Sequence, residues 1–170
     1  MKIYDAYKYC LLCGGEVVGE SNVRKCNSCG KTRFINPSPA TGAIIIKDNK
    51  FLLTKRAHEP AKGTWDIPGG FVEPGETFEQ SITREIFEEM GVKATKIKYF
   101  NSKFDHYEYE GVMDDIIVIN FLVEVDSFDF KPDDDITETK FFGMEEVPYE
   151  EIKFPSVSNT IREYFNQHQS

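Results

Sequence analysis

The chain has 170 residues, 40% hydrophobic and 14% aromatic, and a formal net charge of −9. That length suits one domain, or one domain plus a small module, and the apolar content supports a core rather than a disordered chain. So acidic a chain, with a sequence pI of about 4.9, is not built as a general nucleic-acid or anionic-membrane binder. No run approaches the roughly 18 apolar residues of a membrane helix. The N-terminus MKIYDAYKYC lacks the apolar segment of a secretory signal. The expected location is therefore cytoplasmic, with no membrane partner.

The first forty residues differ from the rest. They hold six Lys or Arg and three Asp or Glu, out of 20 and 29 in the whole chain. All four cysteines also lie there, as Cys10-Leu-Leu-Cys13-Gly-Gly and Cys26-Asn-Ser-Cys29-Gly. Each CxxC turn aims two thiolates at one point, and the following glycine relieves the tight backbone. Two such turns supply four tetrahedral sulfurs at about 2.3 Å from a zinc ion. Two disulfides are the competing reading, but they belong to oxidising compartments. A redox dithiol would need only one CxxC. The spacing points to a zinc ribbon over residues 1–36, with Zn²⁺ in a structural role that a unit too small for its own core requires.

Asn36-Pro37-Ser38-Pro39 reads as a linker into a second domain, 37–170. Ala43 to Lys47 and Phe51 to Thr54 read as a hairpin around Asp48-Asn49. Trp65 to Val72 bends sharply at Pro68-Gly69-Gly70. Thr77 caps a helix running to Met90, with Gly91 as its stop. Ile97 to Phe104 is a strand, and the almost continuously apolar Ile116 to Val125 is a central one. Lys140 to Gly143 is a short strand, Met144 to Val147 a helical turn, and Val157 to Phe165 a terminal helix. Strands alternating with two substantial helices make a mixed α/β layered domain.

On the helix, Phe78, Ile82, Ile86 and Met90 form the core-facing stripe. Glu85, Glu88 and Glu89 share one face about a quarter-turn away, at the edge of the buried side. Like charges at that spacing repel. A solvated face is one reading. A hard divalent cation that relieves the repulsion is the other, and an all-oxygen site suits Mg²⁺ or Mn²⁺ holding phosphate oxygens. Gly69 and Gly70 let backbone carbonyls approach the same ion, and Glu76 is spaced to reach Arg84.

Gly70, Glu76, Arg84, Glu85, Ile86, Glu88, Glu89, Gly91 and Val92 fill G-x5-E-x7-R-E-U-x-E-E-x-G-U, with U aliphatic, at every specified position. The stretch resembles the Nudix box, and the sequence from about Ala40 to Phe142 is similar to a Nudix domain. The resemblance implies an α/β/α sandwich and metal-dependent hydrolysis of a nucleoside diphosphate linked to another moiety. A zinc ribbon ahead of a Nudix domain is similar to two groups: NADH pyrophosphatases, and enzymes acting on FAD and ADP-ribose. The stretches LLTKR and GTWDIPGGFVEPGET look more like the second group. The SQPWPFP-type motif of the first is absent, and its region reads KYFNSKFDHYEYEG.

By the same match, Glu85, Glu88, Glu89 and the Gly69 carbonyl are metal ligands, and Glu85 is the candidate base within the box. Arg84 and Glu76 are structural partners of the chemistry. A further acid often precedes the last short strand, and the register of DITETKFF favours Asp135, against an ordinary solvated turn. Trp65 reads as a core aromatic or a base-stacking one. Lys55 and Arg56 meet a phosphate or are plain surface charge. The implied substrate is a small dinucleotide or nucleoside diphosphate sugar such as ADP-ribose, FAD or NAD(H), with AMP released. Nudix domains of this kind frequently pair, so a homodimer is compatible with the resemblance. Removal of a nucleotide cap from RNA by the same chemistry, or a non-catalytic nucleotide sensor, are the alternatives.

Overall fold

A computed structural model describes residues 1–168. The chain divides into two compact units, Met1–Ser38 with His106–Ile116, and Pro39–Asp105 with the chain from Ile117 onward.

The first unit begins with a single helical turn, α1 (Ile3–Ala6), that the sequence did not suggest. Three short strands, β1 (Val17–Val18), β2 (Val23–Cys26) and β3 (Thr32–Phe34), form an antiparallel sheet in that order. Within Met1–Ser38 only Arg24 and Cys26 are buried, while Leu11 and Leu12 are 73% and 75% exposed. Apolar burial cannot hold such a unit together. Arg24 does part of that work. Its Nε and Nη2 donate to the Tyr4 carbonyl at 2.9 and 2.6 Å, and its Nη1 donates to the Ser21 and Val23 carbonyls at 2.7 and 3.0 Å.

In chain order there follow β4 (Ser38–Ile44), β5 (Ile46–Lys47), β6 (Lys50–Arg56) and β7 (Trp65–Asp66), then α2 (Phe78–Met90). After it come β8 (Ala94–Tyr109), β9 (Val112–Val125), β10 (Ile136–Phe142) and α3 (Pro155–Gln167), with 3-10 turns at Met144–Glu146 and Tyr149–Glu151. The expected linker ends early, because Ser38 and Pro39 already belong to β4. Proline is tolerated there because β4 lies at the edge of its sheet, and the Pro39 carbonyl accepts from Val72 N–H at 3.1 Å. Strands β8 and β9 are longer than expected and meet in a hairpin. It turns at Glu110-Gly111, both at positive φ, a geometry matching the strand twist.

Two sheets make the second unit. One is ordered β10-β6-β5 with β7 on β6, and the other β4-β9-β8, so β9 is central as expected. The two helices cover opposite faces, as strand alternation shows. Ala43, Ile45, Leu52, Ile119, Phe121 and Val123 share one core with Ile82, Ile86 and Met90 of α2. The neighbouring positions meet α3 instead: Phe51 packs edge-on against Tyr164, and Asn120 Nδ2 donates to Thr160 Oγ1 at 3.0 Å. This is an α/β/α sandwich. No helix among the described residues is long and apolar enough to cross a membrane.

The α2 boundaries come from local chemistry. Thr77 and Gln80 form a reciprocal capping box, and Gly91 closes the helix in the left-handed conformation, its N–H donating to the Phe87 carbonyl. Ile82, Ile86 and Met90 are fully buried, each contributing roughly 1.5–3 kcal/mol over an exposed side chain. Phe78 departs from the expected stripe and is 41% exposed, because the first turn projects past the core. Ser81 is buried instead, its hydroxyl 3.2 Å from that of Thr41.

Candidate functional site

The glycine loop is laid against β4 by two bonds. Ala43 N–H donates to the Pro68 carbonyl and Thr41 N–H to the Gly70 carbonyl, each at 2.8 Å. The Gly69 carbonyl between them is not taken by β4. Gly69 has φ 142° and lies so close to Thr41 that a Cβ would overlap its carbonyl. A Cβ on Gly70 would lie 2.5 Å from Glu85 Oε1. Gly69 is thus needed for the loop to lie against β4, and a side chain at Gly70 would displace the Glu85 carboxylate.

Arg84 is the hub of that helix face. Its Nε and Nη2 donate to the two oxygens of Glu76 at 2.8 and 3.0 Å, a fork-to-fork pair. Its Nη1 donates to Glu85 Oε1 at 2.8 Å and Glu88 Oε2 at 2.9 Å, and Nη2 also reaches the Phe71 carbonyl at 3.2 Å. Glu76 also receives Glu73 N–H at 3.0 Å, stiffening the loop before the helix. Arg84 holds the Glu76 carboxyl below its ordinary value. Burial pushes Glu85 up, against the pull of Arg84.

Glu89 is held differently. Its Oε2 accepts Gly69 N–H at 2.9 Å. It lies in a recess, mostly surrounded by protein but with part of its surface open. Burial pushes its carboxyl up to about 8, with Glu85, Asp66 and Asp135 adding to the rise and the Gly69 N–H opposing it. The sequence-selected Asp135 is thus within electrostatic reach of Glu89. Its Oδ1 also lies 3.5 Å from His58 Nε2, and Ala57 N–H donates to its carbonyl at 3.0 Å.

Three carboxylates with a raised Glu89, one free backbone carbonyl and an all-oxygen donor set fit a hard divalent cation. The arrangement is not a closed cage. Among the described residues, the carboxylate oxygens of Glu85, Glu88 and Glu89 do not draw together as closely as the cysteine sulfurs do. Arg84 holds two of those carboxylates and is the positive charge that relieves their repulsion.

Two acids, Asp66 half-buried and Asp105 buried, were missed in the sequence. Asp66 Oδ2 pairs with Arg56 Nη1 at 3.1 Å, and Oδ1 accepts Ile67 N–H at 2.8 Å, fixing the turn that leads into the glycines. Burial raises the Asp66 carboxyl against the pull of Arg56. Arg56 also donates to the Pro60 carbonyl at 2.9 Å, so it is neither a free phosphate contact nor plain surface charge. Asp105 on β8 accepts Ser156 N–H at 2.7 Å and caps α3 from outside the helix. An acid between Trp65 and Ile67 in an otherwise apolar stretch is the one signal that could have flagged Asp66. Trp65 itself is buried edge-on against Phe142 at 5.0 Å, with Lys55 Nζ 5.1 Å over its ring. Phe104 is exposed on β8, and His106 pairs with Asp115 at 2.9 Å within the first unit.

In the first unit all four cysteines are free thiols, and their sulfurs lie within 4.8 Å of one another. Cys10 and Cys29 sulfurs are 3.8 Å apart and those of Cys13 and Cys26 3.5 Å. Edges of that length belong to a sulfur tetrahedron with a centre about 2.3 Å from each corner, the zinc–thiolate distance. The N–H groups of Cys29 and Ser28 pull Cys26 down to about 6, against burial. Backbone N–H groups of Leu12 and Cys13 lower Cys10. The Gly15 N–H lowers Cys13, but Cys26 and Cys29 raise it more, to about 12. Cys10 and Cys26 are thus both shifted toward the thiolate form.

The NUDIX domain model matches residues 36–164. An ADP-ribose pyrophosphatase of Methanocaldococcus jannaschii is 38% identical over 115 residues, covering 68% of this chain and 67% of the relative. An NAD-capped RNA hydrolase, NudC, of Chromobacterium violaceum is 27% identical over 150 residues, which cover 86% of this chain and 54% of NudC. The chain therefore spans only about half the length of such relatives. A crystal structure of a NUDIX hydrolase from Nitrosomonas europaea superposes with a TM-score of 0.70 at 28% identity, covering 95% of this chain and 92% of that one.

Proposed function

We infer, from the premise that this chain belongs to the Nudix family, that it hydrolyses the pyrophosphate bond of a nucleoside diphosphate derivative and releases AMP. The substrate class we propose is ADP-ribose, FAD or an NAD(H)-like dinucleotide. The observation that carries the reading is the pair of anchors on one helix face: Arg84 holding Glu85 and Glu88, and Gly69 holding Glu89.

In this reading Glu85, Glu88, Glu89 and the Gly69 carbonyl hold Mg²⁺ or Mn²⁺, with Asp135 at the rim. The bound ion would supply charge neutralisation on the phosphate oxygens and a lowered pKa for the attacking water. Glu85 would serve as the base toward the attacking water. Its burial keeps the carboxyl more basic than a surface glutamate, and Arg84 holds its Oε1 in place. Arg84 and Glu76 act by position. The glycine loop excludes side chains from the path between β4 and α2. The four cysteines hold Zn²⁺ in a closed structural site. A four-thiolate zinc site suits a reducing compartment such as the cytoplasm.

The test is chromatographic product analysis with Mg²⁺, then Mn²⁺, offering ADP-ribose, FAD, NADH and NAD⁺ beside a Glu88→Gln control. AMP from the wild type and not the control establishes the chemistry and ranks the substrates. An NAD-capped RNA arm is included because the match to NudC covers 86% of this chain. If only that arm is cleaved, the small-molecule assignment fails. Binding without any cleavage sinks the hydrolase reading altogether.

A further inference from the structure

The hydrolase reading leaves the cysteine module without a task, and the contacts within the first unit give it one. Both ends of the module grip adjacent residues of one strand. At the N-terminal end, Met113 N–H donates to the Met1 carbonyl at 2.7 Å, and Lys2 forms a parallel bridge with Met113. At the other end, Ser38 Oγ donates to the Asp114 carboxylate. Met113 and Asp114 lie at the start of β9, in the tip of the β8–β9 hairpin, and the tip belongs to the same compact unit as the module.

A continuous path links this grip to the sulfurs. Cys26 ends β2, and Arg24 sits two residues before it on that strand. Arg24 is buried and donates twice to the Tyr4 carbonyl, with its Nη2 3.5 Å from Asp5. Tyr4 and Asp5 lie in α1, and Asp5 N–H donates back to the Lys2 carbonyl at 3.0 Å. The chain of contact therefore runs from the sulfur cluster through β2, Arg24 and α1 to Met1, Lys2 and Met113. Almost no apolar burial supports it, so its stability rests on whatever closes the four sulfurs.

We propose that the cysteine module is a zinc-dependent clamp on the β8–β9 hairpin tip, with Arg24 as the link between sulfurs and tip. With the four thiolates closed, the tip is held at Met113 and Asp114. With them open, the grip at Met113 is lost while the arms of the same hairpin, Ala94–Asp105 and Ile117–Val125, stay within the second unit. The proposal concerns order in the hairpin and does not depend on the hydrolase reading.

The Met113 amide reports the grip directly, since it is the donor to Met1. The experiment is amide hydrogen exchange on the full-length zinc-loaded protein, with and without a zinc-selective chelator in excess Mg²⁺. The expected result is at least tenfold faster exchange at Met113 and through β1–β3, with α2 amides unchanged. Unchanged exchange at Met113 after zinc release overturns the clamp, and so does loss of protection in α2 together with the tip. Arg24→Gln tests the link. Faster exchange at Met113 with zinc content intact supports it. Unchanged exchange removes Arg24 from the path, and loss of zinc would show that Arg24 serves the sulfur cage instead. Ser38→Ala touches neither cysteine nor Arg24. It is expected to speed exchange from Asp114 to Ile116 with zinc retained, and no change there would overturn the second grip.

Discussion

Replacing Glu89 with glutamine isolates the charge that makes the metal-free site pH-sensitive. The Glu89 carboxyl moves from an ordinary 4.5 to about 8 on folding. Between those values the folded state keeps a proton that the unfolded chain gives up, so stability falls as pH rises through that window and levels off above it. At about 1.4 kcal/mol per unit the ceiling is about 5 kcal/mol. Part of the side chain meets solvent, and screening brings the expected effect to about 2 kcal/mol. For a chain of 170 residues that is about 4–8 °C in Tm. Thermal unfolding of the metal-free wild type, followed by circular dichroism from pH 5 to 9, should show that fall. Glu89→Gln keeps an acceptor for Gly69 N–H and carries no titration, so its curve should be flatter by the same amount. Groups remote from Glu89 titrate in both proteins and cancel in the difference, while Glu85, Asp66 and Asp135 lose the repulsion of Glu89 in the variant, which reinforces the flattening. Mg²⁺ at about 100 times its Kd should add about 2.7 kcal/mol to the wild type and much less to the variant. Parallel curves for the two proteins would refute the placement of Glu89 as a buried, metal-ready carboxyl.

Other substitutions separate position from chemistry. Gly70→Ala places a methyl group 2.5 Å from Glu85 Oε1, so turnover should drop by about 100-fold while the far-ultraviolet spectrum stays native. Arg84→Lys cannot span Glu76, Glu85 and Glu88 with one ammonium. We expect about 2–3 kcal/mol lost in urea unfolding and near-complete loss of turnover, with no recovery at saturating Mg²⁺. Thr77→Ala removes one half of the capping box and should cost about 1 kcal/mol with Mg²⁺ affinity by calorimetry unchanged.

What was legible in the sequence was local. Thr77 and Gly91 mark the ends of α2 because caps are decided within four residues, and the two CxxC turns announce a sulfur cluster for the same reason. The run Ile116 to Val125 reads as a central strand because it is buried on both sides. Phe78 misled because periodicity says which side of a helix faces inward, not how far the sheet beneath it extends. Pro39 misled because edge position, which excuses proline in a strand, is a property of the sheet. At the candidate site, the acids and the Glu76–Arg84 spacing were visible, but the grip of Arg84 on Glu85 and Glu88 was not, since rotamers decide it. Asp66 and Asp105 were invisible, and Arg56 was read only as a phosphate contact or surface charge, because their partners Pro60, Ile67 and Ser156 are set by the fold, and burial of charge is written nowhere in composition.

Strand β6 serves two masters, with Leu52 facing the core beneath α2 and Phe51 facing α3. Its pairing with β10 runs Phe51 to Phe142 through Thr54 to Thr139 without a break. A single residue inserted between Phe51 and Thr54 would therefore exchange the two layers, presenting each helix with the side chains fitted to the other. Parity, more than hydrophobicity, is what this stretch must preserve.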